Sequence, residues 1–454
     1  MSSAKFRVEP LVEKLLLAGM SSAEATRKGE LFERAFGGLQ QDGMGYGDMN
    51  CWYVPGRVEL FGKHTDYCGG ASLLCALERG LCVVARPRQD GRVRVLDSAN
   101  ALQTECDITG RMVARIGHWS NYPHTVIGRL VHNFPACHRG MDMAFASDLP
   151  AAAGLSSSSA LVTAVCMSFA HINQLEMQPL FQRIAADPAN LAAYLGAIES
   201  GRDYQTLAGD AGVGTAGGAG DHTAILCSRA GEVTHAEFAG SSRLVGLSFD
   251  SQHRLVIAVS GAVAEKTGAA RMRYNQIAAT AGQAVELFNR HRMPPAASLE
   301  ECFLQMQGDA AAVMRLITAG VADAAAVRRL HERVNQFDEE SHRIVPAAAR
   351  MLGCKKLSAI GVLADQSHLL AATLLHNQTP ETDFLVGEAQ RQGALAASAF
   401  GAGFGGSVWA LLPHEAADAF AVTWEKAYLA EFPAVAERAD VFVTRPGPPA
   451  MRLG

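Results

Sequence analysis

The chain has 454 residues, 49% of them apolar and 19% charged, a globular composition too long for one comfortable core, so two domains are predicted. The formal net charge of -5 is small for that length and no block of like charges stands out, which gives nucleic acid and anionic membrane surfaces little to pull on. The 10 cysteines are scattered without a Cys-x-x-Cys pair and read as buried reduced thiols. The first residues carry Lys5, Arg7, Glu9 and Glu13 where a signal peptide needs an apolar stretch, and later apolar runs are interrupted, so a soluble, cytoplasmic protein is expected.

In chain order, helical periodicity over residues 8–39, broken at 19–22, predicts two amphipathic helices. β-rich runs follow at 52–61, 72–77, 81–86, 93–96 and 141–147, each bounded by Gly, Pro or Asp. Residues 155–170 and 190–199 are predicted helices, the glycine-rich stretch 209–220 a functional loop, and 223–227 a strand. After a strand at 254–259, the pattern turns helical through 269–290, 299–306, 309–317 and 323–345, where Pro346 is the expected stop. A last strand is predicted at 407–412, and residues 446–449 read as a frayed tail. The division falls at 1–243 and 244–454.

Three segments carry chemistry. The first in strength is Pro150-Ala-Ala-Ala-Gly-Leu-Ser-Ser-Ser-Ser-Ala160, a small-residue turn entering a helix. Bare N–H groups of Ala153, Gly154 and Leu155, hydroxyls of Ser156, Ser157, Ser158 and Ser159, and a helix N-terminus suit an anion. It is neither a P-loop nor a Gly-x-Gly-x-x-Gly fingerprint; four successive serines exceed what capping alone requires. The second is Gly401-Ala-Gly-Phe-Gly-Gly-Ser407, whose Gly403 and Gly405 permit close backbone approach, as a plain β-turn also does. The third, Pro55-Gly-Arg-Val-Glu-Leu-Phe-Gly-Lys-His-Thr-Asp-Tyr-Cys-Gly-Gly70, gathers Arg57, Glu59, Lys63, His64 and Asp66, a mixture suited to a hydroxyl-rich ligand and a charged transition state. Arg271, Arg273, Arg328 and Arg329 read as solvated helix faces, and His124 with His132 as ordinary helix residues.

In this order, the three segments resemble the motifs of the GHMP kinase superfamily, and the third resembles the sugar signature of galactokinases. The resemblance extends from about Tyr53 to Leu412 through Ser367-His368 and Pro380-Glu-Thr-Asp-Phe-Leu-Val386. It implies an α+β, two-domain fold: a ribosomal-protein-S5-domain-2-like N-terminal domain, a C-terminal GHMP α+β domain, and the active site in the cleft between them. It implies an ATP- and Mg²⁺-dependent sugar kinase, a monomer or weak homodimer with no nucleic-acid or membrane partner. Position by position, it implies Arg57 at the transferring phosphoryl group, Asp221 at the reacting hydroxyl, Ser158 and Glu199 as Mg²⁺ ligands, the serine turn with Gly403 and Gly405 around ATP, and Lys63, His64, Asp66, Glu59 and Gly220 around the sugar.

Departures bear on the substrate. Galactokinases carry Asn at Glu59 and Glu at Lys63, so Lys63 either meets an anionic C6 group, as in a uronic acid, or pairs with Glu59. Ala152 stands where glycine is usual, and the segment from Glu199 to Asp221 is longer than in galactokinases. Tyr274 lies near the segment of the family's aromatic sugar contact but fits a core helix equally. A ligand sensor and a kinase of a non-sugar alcohol remain alternatives.

Overall fold

A computed structural model describes residues 6–40, 49–109, 118–150, 153–240, 242–262 and 269–454; Ala152 lies outside them. The chain opens with helices α1 (Glu9–Leu17) and α2 (Ser22–Gln40), then strands β1 (Asn50–Phe61), β2 (Ala71–Pro87), β3 (Arg92–Asp97) and β4 (Leu102–Asp107). Next come α3 (Asn121–Asn133), β5 (Met141–Ser147), α4 (Ser157–Ile172), α5 (Pro179–Ala185), α6 (Pro188–Ser200), α7 (Gly220–Cys227), β6 (Glu232–Glu237), β7 (Arg243–Ser248) and β8 (His253–Val259). The second half holds α8 (Ala269–Asn289), α9 (Leu299–Gln305), α10 (Ala310–Thr318), α11 (Ala324–Phe337), α12 (Val345–Gly353), α13 (Ile360–Leu370) and α14 (Pro380–Arg391). It ends with β9 (Ala396–Phe400), β10 (Ser407–Pro413), α15 (His414–Glu431), β11 (Asp440–Thr444) and β12 (Met451–Arg452).

Strand alternation explains the layering of the N-terminal sheet, whose path runs β12-β1-β2-β5-β3-β4 with β6 and β7 branching from β2. Cys51, Tyr53, Cys82, Val84, Ala144 and Ala146 face α1 and α2, while Trp52, Val54, Leu81, Val83, Met143 and Phe145 face the opposite core with α4. The second sheet, β11-β8-β10-β9, is antiparallel. It buries Val256, Val408 and Ala410 under α14 and α15, and turns Ile257 and Trp409 toward the N-terminal core, where Trp409 meets Phe61 at 5.8 Å. A third core, in α8 to α11, takes in Cys68 from the third motif. These shared cores hold the motif-bearing loops of both halves against one another.

Several sequence expectations are corrected. The runs at 72–77 and 81–86 form one strand, β2, whose register with β1 shifts between Gly80 opposite Pro55 and Ala76 opposite Arg57, so residues 77–79 make an irregularity in the strand rather than a turn. Residues 223–227 belong to helix α7, not to a strand; their apolar run packs all round, so periodicity could not discriminate. Pro346 does not end the helix: a π-helical turn at Asp338–Ile344 leads into α12, and this wider turn accommodates the proline within a continuing helix. The expected tail is anchored, Gly447 N–H donating to Ala76 O at 2.8 Å and Met451–Arg452 pairing with β1. The first sheet also runs through Ser248, so the division at 243 falls at the start of β7. Leu357–Leu375 is long and apolar enough to cross a membrane by length and composition, yet it carries Asp365 and His368 and contributes Ser367 to the interior. Cys354 is the exposed exception among the thiols.

Candidate active site

The serine turn is built by two left-handed residues, Gly154 (φ 73°) and Ser156 (φ 59°). Ser156 occupies the N-cap of α4 but makes no side-chain capping bond; its hydroxyl reaches across to Asp221 Oδ2 instead. A non-glycine residue held at positive φ is strained, and the strain here aims a hydroxyl. Ser159 Oγ lies 3.0 Å from Glu199 Oε2 and 3.3 Å from Asp221 Oδ2. Asp221 stands in the first turn of α7, where the helix dipole favours a carboxylate, and its Oδ1 accepts from Arg57 Nε at 2.7 Å. Arg57, buried on β1, also donates to Gly154 O. Burial alone opposes its charge, but Asp221 and Glu59 outweigh that and raise its pKa further. His222 Nε2 lies 3.0 Å from Glu199 Oε2.

Arg57, Ser159, Glu199 and Asp221 line a cleft of about 1120 Å³, counting the part open to solvent, between the two halves, with Ser156 and His222 behind its wall. Gly154, Ser159, Glu199, Gly220, Asp221, Gly403 and Gly405 contribute to its walls. Leu155 is packed in the core, Ala153 O accepts from Ser407 Oγ at 2.5 Å behind the wall, and Ser157 opens α4. Ser158 interacts with the Tyr122 phenol, and Ser159 donates to Glu199 Oε2. Gly403 (φ 78°) has no room for a side chain, since a Cβ there meets Asn377 O at 2.4 Å.

At the other end, Asp66 Oδ2 accepts from Gly220 N–H at 3.0 Å, and a Cβ on Gly218 would lie 2.3 Å from the same oxygen. The longer loop before α7 therefore closes onto the third motif through bare backbone. Burial pushes the Asp66 pKa up. His64 has its pKa lowered to about 3, chiefly by burial and then by Arg333. A neutral ring donates from Nε2 to Ala402 O at 3.2 Å and accepts the Tyr67 hydroxyl at Nδ1, 2.8 Å away. Tyr274, which sequence left between two readings, lines the cleft with its ring 5.2 Å from that of His64. His222 carries no signal of its own beyond its neighbours in the motif, and Ser159 is expected from sequence as a phosphate donor rather than as the partner of Glu199.

Lys63 lies close enough to Glu59 for each to feel the other's charge, but it hydrogen-bonds elsewhere. Its ammonium is buried and donates to Ser367 Oγ at 2.6 Å and Ser398 Oγ at 3.0 Å, with Glu340 as its main charge partner. It is absent from the cleft wall, and among the described residues no ion pair joins it to Glu59. Glu59 does line the cleft; its Oε1 is buried without a hydrogen-bond partner, and burial raises its pKa well above the ordinary value despite Arg57.

Residues 30–87 match the galactokinase galactose-binding signature, 121–229 the N-terminal domain of GHMP kinases and 345–430 their C-terminal domain. The chain belongs to the GHMP kinases. Within them it is galactokinase-like, and it is a phosphotransferase with an alcohol group as acceptor. It is 28% identical over 377 residues to the galactokinase of Chloroflexus aurantiacus, covering 83% of this chain and 87% of that one. It is 29% identical over 420 residues to that of Streptomyces coelicolor, covering 90% and 95%. The fold is that of Lactococcus lactis galactokinase, solved with galactose, at a TM-score of 0.69 and 21% identity over 92% of this chain and 99% of that one.

Proposed function

We propose that this GHMP kinase transfers the γ-phosphoryl group of ATP to a hydroxyl of a neutral sugar. The observation that carries the reading is the Arg57–Asp221 contact at 2.7 Å, set in one cleft with the serine and glycine turns. The acceptor oxygen forms the new bond to phosphorus as the bond from phosphorus to the ADP oxygen breaks. Arg57 supplies fixed positive charge where that transfer spreads negative charge. Asp221 is already oriented by Arg57 on one oxygen and by Ser156 and Ser159 on the other, so it positions the acceptor hydroxyl and takes its proton at no cost in reorganisation. The bare N–H groups of the two turns provide donors for the phosphate tail.

Mg²⁺ typically binds through one or two carboxylates, water and substrate phosphates. Among the described residues, no group of three His, Cys, Asp or Glu could hold a metal; Glu199 with the Ser159 hydroxyl, 3.0 Å apart, is the hard-oxygen pair that fits this mode. Bound there with ATP, the ion supplies charge neutralisation of the phosphates.

A neutral acceptor is favoured over a uronic acid by where Lys63 points. Its ammonium is turned into the interior onto Ser367 and Ser398, so the cation that would meet a C6 carboxylate is engaged elsewhere. Of the arginines that do line the cleft, Arg57 is held on Asp221 and Arg271 lies against Gly214. The reaction is tested by ADP release from Mg-ATP with galactose, arabinose, glucosamine and galacturonate in parallel. Turnover with a neutral sugar and none with galacturonate is expected; turnover with galacturonate alone overturns the substrate reading, and none with any sugar overturns the kinase reading.

A further inference from the structure

The helical repeat sets Arg273, Gln276 and Thr280 along one face of α8 and Arg329, Glu332 and Arg333 along one face of α11, and these two faces, with Leu374, Leu375, His376 and Phe404, border a second cavity of about 830 Å³, counting the part open to solvent. Two of the four arginines that sequence assigns to solvated faces, Arg273 and Arg329, thus border one space. Glu332, the acidic side chain in the wall, is 3.5 Å from His376. Arg329 is exposed and has only a long contact, 3.9 Å, to the exposed Asp323, which leaves its charge to solvent.

Arg333 borders the same space. Its side chain is 2% exposed; Nη1 donates to Gln336, and Nη2 to His64 O and, at 2.9 Å, to Cys68 Sγ. With those nitrogens spent on the protein and Nε shielded from solvent, Arg333 lends the cavity it lines fixed positive charge rather than a free N–H. We infer that this cavity is a second binding site, for a small phosphate monoester bearing hydroxyl groups, such as a phosphorylated sugar. Guanidinium forks match phosphate oxygens in geometry and charge, Gln276 and Thr280 offer partners for hydroxyls, and the volume is that of a small-molecule pocket rather than of an ion.

The site is linked to the cleft through two residues. Phe404 lines both cavities, and Arg333 holds the carbonyl of His64. An occupant therefore touches the acceptor end of the active site from behind without entering it.

The test is calorimetric titration of the full chain, without nucleotide or acceptor, using inorganic phosphate and glucose 1-phosphate as probes, repeated on Arg329→Glu. Saturable binding of glucose 1-phosphate, tighter than inorganic phosphate and weakened at least about tenfold by the charge reversal, is expected, with basal turnover unchanged. Undiminished affinity in Arg329→Glu places the probe in the catalytic cleft and overturns the inference. So does the absence of saturable binding by both probes. Equal affinity for the two probes assigns the site to free phosphate and overturns the sugar-phosphate reading. None of these outcomes depends on whether the chain turns over a neutral sugar.

Discussion

The two ends of the cleft are built on opposite rules. At the phosphoryl end the charged groups have their counterparts in the protein: Arg57 on Asp221, Asp221 on Ser156 and Ser159, Glu199 on Ser159 and His222. At the acceptor end Glu59 Oε1 has no partner, and the nearby Lys63 points away into the C-terminal half. A satisfied network is rigid before any ligand arrives and serves a transition state common to a whole family. An unsatisfied one awaits a particular ligand, and there this chain parts from the galactokinase pattern at both Glu59 and Lys63.

Substitutions can break or sharpen that contrast. The largest effect is expected from Arg57→Ala, which removes the phosphoryl-end cation and should lower kcat by about 10³–10⁵-fold in an ADP-release assay; a near-normal rate would mean that the network is only structural. Lys63→Glu is expected next. It sets a carboxylate beside Glu340 in the interior and should cost about 3–5 kcal/mol in urea unfolding. A stable variant with altered sugar preference would instead return Lys63 to the cleft.

Glu59→Gln should act in the other direction. Burial holds the Glu59 carboxyl well above its ordinary pKa, so between the unfolded and folded values the unfolded chain has released a proton that the folded protein keeps. Stability contributed by this group is therefore lost as pH rises through that window. Glu59→Gln should be more stable than the parent at pH 8, its advantage growing by about 1.4 kcal/mol for each pH unit inside the window and closing toward pH 4; an equal gap at both ends would show that ionisation is not involved. The smallest effect concerns His64. With its pKa lowered to about 3, its ionisation should leave the acceptor KM flat from pH 5 to 8, and a step near pH 6.5 that disappears in His64→Gln would contradict the neutral ring.

Legibility in the sequence follows the same divide. The serine turn, Arg57 and Asp221 could be found from local composition and from resemblance because their chemistry demands small residues and fixed charges in fixed order. The paired amphipathic helices and β1 followed from periodicity in the same way. What could not be read depends on packing across the two halves. Whether Lys63 turns toward the sugar or toward Ser367 and Ser398 is decided by α13 and β9, more than 300 residues away in sequence. The choice of Ser159 over Ser158 at Glu199 depends on which face α4 shows to α6, and Tyr274 is told from a core residue only by the position of α8 over His64. Residues 223–227 misled because a helix buried all round and a buried strand have the same composition.

The central claim is that Asp221, held by Arg57, faces the reacting hydroxyl. Its most direct test is single-turnover phosphoryl transfer from Mg-ATP by Asp221→Asn, using the best acceptor of the native protein and measuring the binding of both ligands in parallel. Loss of rate by about 10²–10⁴-fold with binding kept within a few-fold is expected. A variant that transfers phosphate at the native rate would contradict the claim.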